Sequence, residues 1–216
     1  MNPYEELLQS LQAASSDEER AWITLQFNLA AQPERIQTAV WAAAVPHWFD
    51  CAMLDFLLDT KLSEDEFGAI LALPYIEIFP ERGWNVHEKS RDLLRKHLWH
   101  VDRVRYRTLS RRAAVWCREH NTGVPVWQLE AVYHALLGEE DRAENAFLGL
   151  ATDLHKHFRY TELETLLRSV LPAACAGRLS GRAVAWADFL QGNVDLQYSR
   201  LIAARDALER ALASDT

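Results

Sequence analysis

The stretch YIEIFPERGWNVH at residues 75–87 interrupts a chain that is otherwise patterned for helices, and it decides the fold prediction. Residues 75–79 are β-branched and aromatic, with Glu77 breaking the apolar run, and residues 80–83 have the composition of a turn. An alternating pattern resumes at residues 84–87. Together these features predict a β-hairpin of two short strands.

Helix signals fill the chain before this hairpin. Asn2-Pro3 places a capping residue before a proline, and capping boxes begin at Ser16 and Ser63. Pro33 opens a third helix, and a fourth is predicted at about residues 49–58. The helix begun at Ser63 is the fifth. A packing helix is predicted directly after the hairpin. We therefore expect an N-terminal helical pair at residues 1–32 and a winged-helix unit at residues 33–100.

Only helices are predicted beyond residue 101. We expect Pro172 to stop one of them, and Gly192-Asn193 to form the turn between the last two. The predicted helices span about residues 102–120, 127–137, 139–152, 160–171, 181–192 and 195–213. The positions in the last pair that approximate a tetratricopeptide-type hairpin are Trp186, Leu190, Gly192, Tyr198, Ala204 and Leu208.

These patterns predict a mainly α fold: N-terminal helices, a winged-helix unit with one small β-hairpin, and a tetratricopeptide-like α-solenoid at residues 101–216. A solenoid normally ends in a polar capping repeat. Because none is recognisable before Thr216, we expect the solenoid segment to be part of a longer protein.

Composition is that of a globular cytoplasmic protein. Hydrophobic residues make up 49% and charged residues 25%, and no apolar run is long enough to span a bilayer. The N-terminus does not resemble a secretory signal. Three widely spaced cysteines are typical of reduced thiols in the cytoplasm. We expect no membrane association.

Charge is distributed unevenly along the chain. Residues 1–88 contain 4 Lys/Arg against 15 Asp/Glu, whereas residues 89–120 contain 10 against 3. This basic band is interpreted either as an intramolecular partner for the acidic segment or as a nucleic-acid surface. Its candidate surface residues are Arg91, Arg95, Lys96, Arg103, Arg105, Arg107, Arg111 and Arg112.

Sequence-specific DNA binding is disfavoured by the helix that precedes the hairpin. In a winged helix that element enters the major groove, where cations and amides contact phosphates and bases. Here it begins with Glu64, Asp65 and Glu66 and contains no basic residue. Its surface would repel a polyanion.

No combination of residues predicts catalysis, a metal site or a cofactor. Cys117 and His120 lie three apart on a predicted helix, but no orienting group or oxyanion hole accompanies them. The pair His97 and His100 shares a helical face without an evident third ligand. We expect neither an enzyme nor a metalloprotein.

Aromatic residues beside loops are candidates for contact with a partner. Most of the eight tryptophans lie on apolar stripes and are expected in the core. Trp48 and Trp127 lie in or beside loops, and Tyr198 belongs to the last helical pair. Exposed aromatic side chains are favoured interface anchors, and core packing is the alternative for each.

Several of these stretches resemble the helical region of STAND-type signalling ATPases. The segment from Leu71 to Arg95, with its Val86-His87-Glu88 motif, is similar to their winged-helix domain. Residues 109–116, 130–136 and 160–172 look like the helical region of large LuxR-type regulators such as MalT. The resemblance implies that His87 occupies the position of a histidine that contacts the nucleotide phosphate.

The ATPase domain of that family has no counterpart here, since the chain contains no phosphate-binding Gly-x-x-x-x-Gly-Lys-Ser/Thr element. His87 therefore either meets a nucleotide domain on another chain or has a structural role. We expect a non-enzymatic protein-interaction module that acts as an adaptor, sensor or inhibitor in bacterial signalling, transcription control or defence. The alternatives are a nucleic-acid-binding regulator and an inactive fragment of a STAND ATPase. The identity of the protein partner is not predicted.

Overall fold

The computed structural model describes residues 2–121, 123–139, 142–179 and 181–214. Within them the chain is helical apart from one two-stranded antiparallel sheet, so the predicted mainly α class with a small hairpin is confirmed. The elements in chain order are α1 (Pro3–Ala13), α2 (Asp17–Ala30), α3 (Glu34–Ala43), α4 (Cys51–Leu58), α5 (Glu64–Leu71), β1 (Ile76–Phe79), β2 (Gly83–Val86), α6 (Glu88–Val101), α7 (Arg103–Glu119), α8 (Pro125–Leu137), α9 (Ala143–Lys156), α10 (Tyr160–Cys175), α11 (Gly181–Gln197) and α12 (Leu201–Ser214).

The chain divides into two compact units, residues 1–106 and residues 107–216, with the boundary inside α7. No helix in the described ranges is both long and apolar enough to cross a membrane.

The predicted caps start the helices of the first unit. Asn2 and Ser63 each begin a reciprocal capping box, with Glu5 and Glu66 respectively. At α2 the arrangement differs from the prediction. The Ser16 hydroxyl accepts from the Glu19 N–H, but the Glu19 carboxylate accepts from the backbone and hydroxyl of the preceding Ser15. The Glu19 carboxylate thus binds Ser15, the residue before the N-cap, and these hydrogen bonds lower its pKa.

A third extended segment joins the hairpin. Strands β1 and β2 pair from Ile76 opposite Val86 to Phe79 opposite Gly83. Phe49, between α3 and α4, exchanges both backbone hydrogen bonds with Trp84, at 2.7 and 2.9 Å. Gly83 has φ +103°, and a Cβ there would lie 2.5 Å from the Phe49 carbonyl oxygen. Glycine is required because both the backbone conformation and the close approach exclude a side chain.

The core of the first unit lies between α3, α4, α5, the hairpin and α6. Short residues of α3 allow close packing, since Ala39, Ala42 and Ala43 have no exposed surface. Phe49 and Leu54 fill the space beside them and are likewise fully buried. Burial of this apolar area, at about 25 cal/mol per Å², is the main stabilising contribution to this unit.

The second unit consists of successive helices that pack against their neighbours in the chain. Two predicted boundaries there are wrong. Helix α10 does not stop at Pro172 but continues to Cys175, although the proline removes one backbone hydrogen bond; Ala173, which follows the proline, is buried. Helix α9 begins at Ala143 rather than 139; Glu140 and Asp141, which were included in the prediction, lie outside the described residues.

The predicted turn at Gly192-Asn193 is also wrong. Helix α11 passes through both residues, and the chain reverses at residues 198–200. Ser199 has φ +57°, and the Arg200 N–H donates to the Asp195 carbonyl at 2.8 Å, which closes the end of α11. The glycine is present for packing: a Cβ at Gly192 would lie 2.6 Å from Leu208 Cγ on α12.

Candidate functional site

An apolar groove of about 520 Å³ lies on the surface of α11 and α12. Helix α11 contributes residues spaced three or four apart, which places them on one face. Helix α12 contributes residues from its last two turns. The lining residues are Arg182, Ala185, Trp186, Phe189, Leu208, Ala211 and Leu212.

Large apolar side chains of this groove are open to water. Leu212 is 75% exposed and Phe189 is 42% exposed. Trp186 is half-buried, and its ring meets the Phe189 ring edge to face, with centroids 5.5 Å apart. Contiguous exposed apolar surface of this kind marks interaction sites in folded proteins.

Contacts between the two helices hold the groove in shape. Besides the close approach of Gly192 and Leu208, the Arg210 guanidinium lies 2.9 Å from the buried Asp188 carboxylate. Arg200, at the turn between the helices, donates to Glu164 of α10 at 2.7 Å. The walls are therefore attached to each other and to the preceding helix, so the groove is formed before any ligand arrives.

The three aromatic candidates for partner contact have different environments. Trp48 is only 5% exposed, and its ring stacks on Phe79, so of the two alternatives core packing describes this residue. The packing of the hairpin over residue 48 buries it. Trp127 is half-buried in the first turn of α8. Tyr198 is 44% exposed beside the turn that joins the groove helices.

Cations of the basic band in the first unit are engaged locally. Arg95 is 5% exposed and donates to the Tyr106 hydroxyl, so it is not a surface residue and that prediction is wrong. It lies on the inner face of α6, next to Leu94. The others have partners: Arg91 donates to the His47 carbonyl, Lys96 pairs with Glu18 at 2.5 Å, Arg103 lies over the Trp99 ring, and Arg105 donates to the Thr38 carbonyl.

Cations of the band in the second unit are similarly arranged. Arg107 forms an ion pair with Glu139, and the Arg111 Nε donates to the Gly138 carbonyl at 2.7 Å. Arg112 is half-buried. Arg107 and Arg111 therefore use part of their hydrogen-bonding capacity on protein groups of their own unit.

A second cleft, of about 370 Å³, lies between α2 and α6. His97 lies on one wall and stacks on Trp22, with ring centroids 4.3 Å apart. Burial lowers the pKa of His97, and the nearby His100 lowers it further. The cleft also contains the Glu18–Lys96 ion pair, and no third ligating side chain joins the two histidines among the residues that the structure describes.

The remaining candidates from the sequence are His87 and Cys117. His87 is exposed at the end of the hairpin, where its backbone N–H donates to the Tyr75 carbonyl and α6 begins. Cys117 is buried, and burial raises the pKa of its thiol. A nucleophilic cysteine needs a lowered pKa, so this thiol is unsuited to catalysis.

The groove was not singled out from the sequence, although two of its signals were visible. The sequence predicts Trp186 and Leu208 as packing positions of a helical hairpin. Phe189 and Leu212 have the same helical spacing, so the sequence does not distinguish them from buried core residues. An apolar face that packs on a neighbour and one that meets water have the same periodicity.

Comparisons of the chain with protein-family models, with curated proteins and with solved structures gave no match.

Proposed function

We propose that this chain is a non-enzymatic protein-interaction module that binds an apolar helical surface in the groove of α11 and α12. The observation that carries the proposal is the exposure of Phe189 and Leu212 in one groove, between helices that pack closely where Gly192 meets Leu208. Full burial of a large apolar side chain is favourable by about 1.5–3 kcal/mol of free energy relative to leaving it exposed to water. A partner that covers them recovers part of that free energy.

A regulatory role for the module follows from the arrangement of elements and from the sequence resemblance. Three helices, a hairpin bridged by Phe49 and a packing helix have the order of a winged-helix unit, and the helix pairs beyond residue 107 suit a tetratricopeptide-like solenoid. The resemblance to the helical region of STAND proteins supports an adaptor, sensor or inhibitor in bacterial signalling, transcription control or defence. The three free cysteines support a cytoplasmic location.

Protein binding is favoured over nucleic-acid binding by the distribution of charge. A groove lined mainly by apolar side chains, with Arg182 as the one cation among the described lining residues, offers little to a phosphate backbone, whose binding depends on available cations. Arg105, Arg107 and Arg111 of the basic band donate to carbonyl oxygens or carboxylates of their own unit.

The proposal is tested by quantitative affinity capture from the native lysate with three baits. Wild type and the Leu212→Glu variant differ inside the groove. Ile202→Glu is the matched control, because Ile202 is 74% exposed on the same helix but does not line the groove. We expect a stoichiometric protein that is retained by wild type and Ile202→Glu and is lost from Leu212→Glu. Capture that is equal with all three baits would contradict a role for the groove.

A further inference from the structure

The groove of α11 and α12 has an apolar projection beside its own apolar recess. Leu212 stands at the rim and is 75% exposed, whereas Trp186 and Leu208 are half-buried within the groove. A surface that carries both a projection and a recess is complementary to a copy of itself. In a two-fold arrangement the projection of each copy enters the recess of the other.

Charges beside the groove are also complementary under that symmetry. Arg182 is exposed on the α11 wall, one turn before Trp186. Glu209 lies on α12, one turn before Leu212; its side chain is 70% exposed and lies 3.8 Å from Arg205 of the same helix, a long and solvent-exposed ion pair. When Leu212 of one copy enters the groove of another, it brings Glu209 towards the wall that carries Arg182. An occupant with a carboxylate at this position suits the groove better than an entirely apolar one.

We infer that the occupant of the groove is a second copy of this chain, bound in an isologous dimer. Leu212 of each copy inserts between Trp186, Phe189 and Leu208 of the other, and Arg182 pairs with Glu209 of the partner subunit. This inference rests on the proposed function, since it assigns a partner to the same groove. Because one helix pair offers a small interface, we expect a dissociation constant on the order of micromolar.

The first test is sedimentation velocity of the full chain from about 0.05 μM to about 1 mM, a range that brackets micromolar affinity. We expect wild type to pass from monomer to dimer, and Leu212→Glu to raise the dissociation constant at least about 50-fold, because a carboxylate would be buried in the apolar recess. Ile202→Glu should dimerise like wild type. The inference would be overturned if wild type stays monomeric or forms species larger than a dimer. It would also be overturned if Leu212→Glu and Ile202→Glu weaken dimerisation equally.

The second test reverses the paired charges. Arg182→Glu and Glu209→Lys are each expected to weaken dimerisation several-fold, because each places like charges opposite one another. The double variant carries both reversals in one chain, so the ion pair forms again across the two-fold axis and the affinity should return to within about threefold of wild type. A double variant that is weaker than either single variant would overturn the pairing.

Thermal unfolding of each variant establishes that it is folded, and Phe189→Ser provides a second groove substitution if Leu212→Glu is not. The two hypotheses fail separately. The chain could remain monomeric in sedimentation and still capture a different protein that Leu212→Glu no longer binds. That result would support the proposed function and refute a second copy as the occupant of the groove.

Discussion

Helix α6 and the helix pair α11–α12 differ in whether their most notable side chains, charged on α6 and apolar on α11–α12, contact the rest of the protein or water. Helix α6 belongs to the basic band, yet Arg95 is buried and Lys96 pairs with Glu18. The pair α11–α12 has no comparable charge pattern, yet it leaves Phe189 and Leu212 in water. Arg95 and Lys96 of α6 thus contact other residues of the protein, whereas the amphipathic pair α11–α12 forms the exposed groove.

This difference teaches that a cluster of one residue type is a weak guide to function until its partners are known. An exposed ion pair contributes little to stability, about 0–1 kcal/mol, but it occupies the cation. Exposed apolar side chains have no such internal use. The comparison can be tested at each region with a pair of matched substitutions.

The largest effect is expected at Arg95. Arg95→Ala removes a buried side chain and its bond to the Tyr106 hydroxyl, so we expect a loss of about 2–3 kcal/mol in the free energy of unfolding. Lys96→Ala, the adjacent and exposed cation on α6, should cost less than about 1 kcal/mol. Urea denaturation followed by circular dichroism measures both. Equal effects would show that Arg95 is not an internal residue.

A smaller effect is expected where the groove helices cross. Gly192→Ala places a Cβ 2.6 Å from Leu208 Cγ and 3.2 Å from the Ala204 carbonyl oxygen, so we expect a loss of about 1–2 kcal/mol in the free energy of unfolding. Gly149→Ala on α9 is the control, because no atom lies within 4 Å of its added Cβ. It should stabilise the protein by about 0.5–1 kcal/mol through helix propensity. Chemical denaturation of both variants would contradict this account of α11–α12 if the two changes had the same sign.

The smallest effect is a pH dependence in the first unit. Burial lowers the pKa of His97 below its ordinary value of 6.5, and the nearby His100 lowers it further, so the unfolded chain binds this proton more readily than the folded chain. The contribution of His97 to stability is present above pH 6.5 and is lost as the pH falls from there through the folded pKa. We expect a lower unfolding temperature at about pH 5.5 than at about pH 7.5.

The His97 contribution is isolated by substitution. His97→Phe retains a ring for stacking but does not titrate, so its difference in unfolding temperature between the two pH values should be smaller than that of wild type. His157→Gln, at a histidine whose side chain is 66% exposed, should retain the wild-type difference. Differential scanning calorimetry at both pH values compares the three proteins. An unchanged pH difference in His97→Phe would show that His97 does not titrate differently on folding.

Local signals in the sequence predicted much of the fold. The hairpin at residues 75–87, the capping residue Asn2, the capping box at Ser63 and the helix-opening Pro33 depend on interactions within a few residues. The same local reasoning failed at Pro172 and at Gly192, where packing on a neighbouring helix overrides the breaker. The candidate groove was missed for a related reason, since its residues could be read equally well as core.

The amino-acid sequence was enough to establish the helical class, the position of the hairpin and most helix starts, because these follow from backbone conformation and nearest-neighbour hydrogen bonds. The roles of four residues depend on the tertiary structure: Arg95, Trp48, Gly192 and Leu212. Whether a side chain is buried, paired or exposed depends on residues far away in the chain, such as Tyr106 for Arg95 and Leu208 for Gly192. Periodicity identifies the apolar face of a helix, and the packing of the other helices decides whether that face is covered.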